Sequence, residues 1–319
     1  MIPRNRARNT TPYRPYTWVQ PDKPELPSEP SESDGGILRL PNGREIRRAE
    51  HHPKAIKLLE LARMFDKPHL VHHIPRYLHT IRHIPHGNDL RLGNYDSALE
   101  IGTTFYFPLV LKDMFGFKRV DFTDLTRSGD PTTMVSLPHD WTARNWLSIN
   151  VNLEEEPLPV PEGTYDLVLC LEVIEHLEKD PMAMLYEINR ALKESGLIYL
   201  TTPNSTSARN VLKIHRGYAP HFFMQYSHEV KLGKHNIEYD ATQILALLDG
   251  AGFKIRKLWT EDLFEDPVPE AMEILRNTGG SLKHRGDNLL VIAEKVSAPR
   301  ERFPRAVYFD GTPVTMTSS

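Results

Sequence analysis

From residue 97 onward, short apolar runs alternate with longer amphipathic ones, and this alternation most narrows the folds open to the chain. It is the pattern of a parallel sheet with crossover helices. Candidate strands fall at 97–101, 118–123, 147–152, 165–171, 197–202, 253–260 and 288–295. Between the fourth and fifth, Met182, Met184, Leu185, Ile188 and Leu192 form one helical stripe, with Gly196 placed to close it. Ile244, Leu245, Leu247 and Leu248 mark another helix, closing at Gly252. No stripe of comparable strength joins the last two strands, which predicts an antiparallel strand at one edge. The expectation is an α/β domain over 95–297, with a seven-stranded, mostly parallel sheet and helices on both faces.

The remainder divides by composition. Residues 1–36 are rich in Pro, Arg, Ser and Glu without an apolar period, and read as a disordered tail. Its Arg4, Arg6, Arg8 and Arg14 fit a solvated tail or an anion-binding arm. Residues 37–94 read as an N-terminal helical lid, with Ile56, Leu58, Leu59, Leu61, Ala62 and Phe65 on one stripe. Eight of the fifteen histidines lie between His51 and His86. His79 and His83 have the i, i+4 spacing of metal ligands, but no carboxylate shares their register, so a His-rich amphipathic helix is the favoured reading. Residues 205–234 read as a cap insert and 298–319 as a C-terminal tail. In the insert, Arg216, Tyr218, His221, Phe222, Phe223, Tyr226 and His228 suit stacking on a sugar ring or packing of a lid.

Bulk properties exclude several classes. A net charge of −3 gives no field to attract nucleic acid. The single cysteine, Cys170, excludes an internal disulfide and a cysteine-based zinc site. No stretch is apolar enough for a membrane span and no charged-then-apolar leader opens the chain, so a soluble cytoplasmic protein is expected.

Ligands of such sheets bind beyond the carboxyl ends of the strands, where strand order reverses. Glu100-Ile101-Gly102 follows the first strand, and Asp124-Leu125 ends the second, twenty-four positions after Glu100. A carboxylate there accepts two hydrogen bonds from a ribose diol; Asp121 is a rival set further back. Asn152 and Leu153 follow the third strand, a polar edge and an apolar face for an adenine ring. The loop after Gly102 then lacks further glycines, holding Thr103, Thr104, Phe105 and Tyr106 instead. A pyrophosphate needs close backbone approach at those places. S-adenosylmethionine carries no phosphate and needs it mainly at the first turn.

Over roughly residues 95–295 the chain resembles class I S-adenosylmethionine-dependent methyltransferases, in the branch of the ubiquinone-biosynthesis O-methyltransferases. Glu172-Val173-Ile174-Glu175-His176-Leu177, Glu187-Ile188-Asn189-Arg190-Ala191-Leu192-Lys193, Thr202-Pro203-Asn204 and the His235–Tyr239 segment carry the resemblance. The aromatic first loop is similar to that of a subgroup associated with bacterial sugar and polysaccharide modification. The resemblance implies a Rossmann-like sheet and S-adenosyl-L-methionine held by Glu100, Gly102, Thr103, Asp124, Leu125, Asn152, Leu153 and Leu171. It also implies an acceptor hydroxyl on a glycan or small molecule.

Glu172, Glu175 and His176 stand at i, i+3 and i+4, so one helical turn would face all three toward the same side. In related ubiquinone-type and small-RNA 2′-O-methyltransferases the matching residues hold a divalent cation, which implies Glu172, Glu175, His176 and His235 as ligands of Mg²⁺ or another divalent ion. Catalytic roles fall to Glu175, His176 and His235, as ligands, or with Glu175 capping locally and a histidine acting as general base. Two rivals follow: an RNA 3′-end 2′-O-methyltransferase, and a non-catalytic binding protein on the same fold.

Overall fold

The computed structural model describes residues 37–39, 45–47, 73–85, 96–103, 106–124, 148–221 and 234–309. Residues 1–36, Leu125 and the aromatic insert residues Phe222, Phe223, Tyr226 and His228 lie outside these, as does most of the expected lid.

In chain order the elements begin with an antiparallel pair, β1 (Ile37–Arg39) and β2 (Glu45–Arg47), and then α1 (Ile74–His83). The domain proper starts with β3 (Ser97–Ile101) and α2 (Tyr106–Leu109), which runs into a π turn, Val110–Met114. Next come β4 (Arg119–Asp124), β5 (Ser148–Asn150), β6 (Tyr165–Leu171) and a 3-10 turn at Ile174–His176. Then follow α3 (Pro181–Ala191), β7 (Leu192–Pro203), α4 (Ala208–His215) and α5 (Ala241–Gly250). β8 (Phe253–Glu261), α6 (Pro269–Thr278) and β9 (Asn288–Lys295) complete the described fold.

Seven strands form one sheet in the order β5-β4-β3-β6-β7-β9-β8. β3 is the pivot. It pairs in parallel with β4 on one side (Leu99↔Asp121) and with β6 on the other (Leu99↔Val168). Chain order therefore reverses between β3 and β6, and the crevice beyond their carboxyl ends is the expected ligand position. The Rossmann-like, mostly parallel architecture is the one expected from the alternation.

Alternate residues of the buried strands feed two apolar layers. On one face Ala98, Val120, Phe122, Leu167, Leu169, Leu171 and Tyr199 meet Ile74, Tyr77, Leu78 and Ile81 of α1, with Tyr106 and Phe107 of α2. On the other, Leu99, Val168, Cys170, Ile198, Leu200 and Val291 meet the stripes of α3 and α5. Caps fix both helices. Asp180 accepts from the Met182 amide at 3.0 Å, and Asp240 with Gln243 forms a capping box on α5. α1 thus sits inside the first layer, with Pro75 in its first turn. One ring nitrogen of each of its two histidines is engaged: His83 Nδ1 lies 3.0 Å from the His79 carbonyl, and the Trp259 indole donates to His79 Nε2 at 3.2 Å.

Three details differ from the sequence reading. The reversed strand is β9, paired antiparallel with β7 and β8, so it lies one strand in from the edge and β8 forms the edge. A helix, α6, does join β8 to β9; only Ala271 and Leu275 of it are buried, too narrow a stripe to stand out. α3 stops at Ala191, and Leu192 is already paired with Tyr165, so Gly196 belongs to β7 and closes no helix. Gly252 does follow α5 with φ +86°, where an added Cβ would lie 2.4 Å from the Ser297 carbonyl oxygen.

Beyond β9 the chain packs back on the helices. Arg302 and the Tyr308 hydroxyl both reach the Asp180 carboxylate, and Arg300 reaches Asp249 at 2.6 Å. Among the described residues no helix is long and apolar enough to cross a membrane.

Candidate active site at the β3–β6 crevice

The loop after β3 is tied to β4. The Gly102 amide donates to Thr123 Oγ1 at 2.9 Å, and the Thr103 amide to the Thr123 carbonyl at 2.9 Å. Gly102 has φ +67°, and a Cβ there would stand 2.9 Å from Val173 Cγ2, so the turn needs glycine for both conformation and space. Glu100 is buried and accepts from the Thr103 hydroxyl at 2.7 Å.

The other described cofactor positions end or follow β4, β5 and β6. Asp124 ends β4, paired with Asn150 at the carboxyl edge of the sheet and partly exposed. The rival, Asp121, is buried, and its Oδ2 already receives Arg119 Nε at 2.5 Å and the Tyr165 hydroxyl at 2.8 Å. Asn152 Oδ1 accepts from the Glu154 amide at 3.2 Å and shapes the turn after β5. Leu153 packs in the second apolar layer and Leu171 in the first.

The segment after β6 does not continue as one helical turn. Glu172 is left-handed, with φ +57°, and its amide donates to the Thr201 carbonyl. This break in helical phase separates Glu172 from the two residues expected beside it. Its Oε1 accepts from the Thr201 hydroxyl at 2.6 Å and from Asn288 Nδ2 at 2.9 Å, with Arg76 of α1 at 3.7 Å. Backbone strain of this kind in a non-glycine residue is common at functional sites.

Glu175, His176 and His235 do converge: each offers one ligand atom, all within 4.8 Å of one another. The two imidazoles meet edge to face with centroids 4.9 Å apart. Glu175 is fully buried. Its Oε2 accepts from Thr202 Oγ1 at 2.9 Å, while Oε1 has no hydrogen-bond partner and lies 3.9 Å from His176 Nε2. Burial, then the nearby Glu172 charge, pushes its carboxyl well above the usual range. His176 is partly exposed, with Nδ1 3.0 Å from the Lys234 carbonyl, a contact that places the proton on Nδ1 and turns Nε2 toward Glu175. Burial lowers the His176 pKa, which favours neutral imidazole at neutral pH.

His235 reaches the group because its segment docks on the 3-10 turn. The Asn236 amide donates to the Glu175 carbonyl at 2.7 Å and its side chain to the His176 carbonyl at 2.8 Å. His235 Nδ1 then meets Glu238 Oε1 at 2.8 Å. Glu238, buried, is the site residue that sequence reasoning left without a role. The signal was its i+3 spacing from His235, since an imidazole oriented by a carboxylate is the usual support for a ligand or base.

Residues 115–258 match the family model of a methyltransferase domain, a span that begins after the Gly102 loop. No curated protein matches the chain. Among solved structures, a chain of a Haloferax volcanii complex containing the Trm112 methyltransferase activator is 17% identical, with TM-score 0.49, covering 76% of this chain and 98% of its own. An S-adenosylmethionine-dependent methyltransferase from Archaeoglobus fulgidus is 16% identical, with TM-score 0.45, covering 70% and 93%. One from Aquifex aeolicus is 16% identical, with TM-score 0.43, covering 75% and 98%. The family match supports a methyltransferase domain over these residues.

Proposed function

We propose that this chain transfers a methyl group from S-adenosyl-L-methionine to a hydroxyl oxygen of a sugar, a polysaccharide or a small metabolite. The observation that carries the reading is the convergence of Glu175, His176 and His235 at the mouth of β6. Glu100, Gly102, Thr103, Asp124, Asn152, Leu153 and Leu171 are proposed to hold the cofactor, with Asp124 on the ribose hydroxyls; Leu125 is proposed with them from the sequence alone.

The same three residues fit a divalent cation. A buried carboxylate oxygen without a partner, beside two imidazoles, is a donor set for a transition ion such as Mn²⁺ or Zn²⁺ rather than Mg²⁺, which prefers an all-oxygen shell. When bound, such an ion lowers the pKa of an acceptor hydroxyl. Glu172, engaged with Thr201, Asn288 and Arg76, stands outside that group.

The protein's own part is positioning. Methyl transfer is an in-line displacement, so holding acceptor oxygen and methyl donor in line supplies much of the acceleration. Without an ion, His176 Nε2 is the proposed acceptor of the hydroxyl proton; with one bound, that nitrogen would be a ligand instead. Glu238 orients His235, and Thr202 orients Glu175.

The test is transfer of radiolabelled methyl from S-adenosylmethionine to a panel of polysaccharides, phenols and short RNAs, for the full chain and His176→Ala. The expected result is label on a hydroxyl acceptor, falling by about a hundredfold or more in the variant. Label on the 3′ end of RNA would move the assignment to the RNA reading. Label that His176→Ala leaves unchanged would remove His176 from the chemistry.

A further inference from the structure

Three acids in a row, Glu154-Glu155-Glu156, follow the turn after β5. Glu155 and Glu156 are exposed, but the Glu154 carboxylate turns back and collects backbone donors. Its Oε1 accepts from the Lys179 amide at 2.5 Å and the Asp180 amide at 2.8 Å, and its Oε2 from the Glu178 amide at 3.1 Å. Successive amides at the start of α3 suit a carboxylate, because such hydrogen bonds are charge-assisted and the helix dipole favours negative charge there.

The carboxylate joins two particular loops. On its own side, the Glu154 amide donates to Asn152 Oδ1 at 3.2 Å, and the Glu155 and Glu156 amides donate to the Asn152 carbonyl at 2.9 and 2.8 Å, closing the turn that holds Asn152 and Leu153. On the other side, residues 178–180 begin two positions after His176, between the 3-10 turn and α3. β5 and β6 are not neighbours in the sheet: β4 and β3 stand between them. One side chain therefore ties the loop with the expected adenine contacts to the loop that carries Glu175 and His176. The second loop is also held at its far end, where the Asp180 carboxylate caps α3 and receives Arg302 and the Tyr308 hydroxyl.

Resting on the cofactor reading above, we propose that Glu154 is a positioning residue: it makes the turn after β5 and the loop after His176 move as one, so that filling the cofactor site fixes the catalytic turn. Glutamine replaces it only in part, since its amide nitrogen cannot accept from a backbone N–H.

The experiment combines calorimetry with amide hydrogen exchange read by nuclear magnetic resonance, on the full chain. The ligand is S-adenosylhomocysteine, the cofactor without its methyl group. The proteins are the wild type, Glu154→Ala, Glu154→Gln and Glu156→Ala. In the wild type, saturating ligand is expected to slow exchange of the Glu178, Lys179 and Asp180 amides by about tenfold or more. Glu154→Ala is expected to bind about tenfold more weakly, and at saturation the ligand changes exchange of those amides by no more than about twofold. Glu154→Gln, which keeps the size and one acceptor oxygen, falls between, and carries the test if the alanine variant does not fold. Glu156→Ala removes the same charge from an exposed neighbour and should match the wild type. Ligand protection of these amides that is equal in wild type and Glu154→Ala, or absent from a wild type that binds, would overturn the proposal and leave the cofactor reading standing. So would a Glu154→Ala protein whose Tm falls while both readouts stay as in the wild type. A wild type that does not bind S-adenosylhomocysteine would overturn both.

Discussion

Gly102→Val should yield a folded protein that has lost S-adenosylhomocysteine, with affinity down by more than about a hundredfold, or ~2.7 kcal/mol. The reason is local. At φ +67° an L side chain costs roughly 1–2 kcal/mol, and a β-branched one fits worst. The new Cβ would also stand 2.9 Å from Val173 Cγ2. Val173 leads directly into the 3-10 turn carrying Glu175 and His176, so relieving the contact moves one wall of the crevice against the other. The strands β3 and β6 beneath are fully buried and should persist. Calorimetric titration with a thermal melt checks both halves: binding lost and Tm lowered by several degrees, with Gly102→Ala intermediate. A valine variant that binds as the wild type does would mean that the ligand does not lie against this turn.

Glu175→Gln should remove divalent-cation binding while raising the stability of the metal-free protein at alkaline pH. The carboxylate supplies the only negative charge in the three-residue group, and its loss should weaken Mn²⁺ by more than about a hundredfold. Stability moves the other way because burial and the Glu172 charge raise the carboxyl pKa in the folded state. The folded chain therefore holds this proton more tightly than the unfolded chain, and its stability falls as pH rises above the unfolded value toward the raised one. Glutamine never ionises, so the variant gains at pH 8 and not below pH 4.5. The same linkage makes wild-type Mn²⁺ affinity rise with pH, since the Glu175 proton must leave on binding. Calorimetry with Mn²⁺ at pH 6 and pH 8, with melts at both, reads all three effects. Equal Mn²⁺ affinity for wild type and variant would sink the metal reading.

Much of the fold was legible because the strands of the central sheet are buried on both faces. Burial on both sides makes β3 and β6 largely apolar, broken by Ser97, Glu100 and Asp166, and Gly102 and Asp124 stand at the carboxyl edge where sequence reasoning expected a ligand. What escaped was set by long-range pairing. Nothing local to β9 reveals that it inserts between β7 and β8, and α6 buries too little to announce itself. The site divides the same way. Residue types and spacing brought Glu175, His176 and His235 into one hypothesis, but the left-handed turn at Glu172 has no sequence mark that the spacing rule detects. Arg76 lay in a run read for its histidines, and its relation to Glu172 spans ninety-six positions of chain.

The most direct test of the central claim is calorimetric titration of the full chain with S-adenosylmethionine, with and without Mn²⁺, repeated for Asp124→Ala. The account predicts one cofactor per chain, and a loss of about tenfold or more when the carboxylate proposed to meet the ribose hydroxyls is removed. No binding under either condition would contradict it, and would leave a methyltransferase-like fold that serves as a binding scaffold.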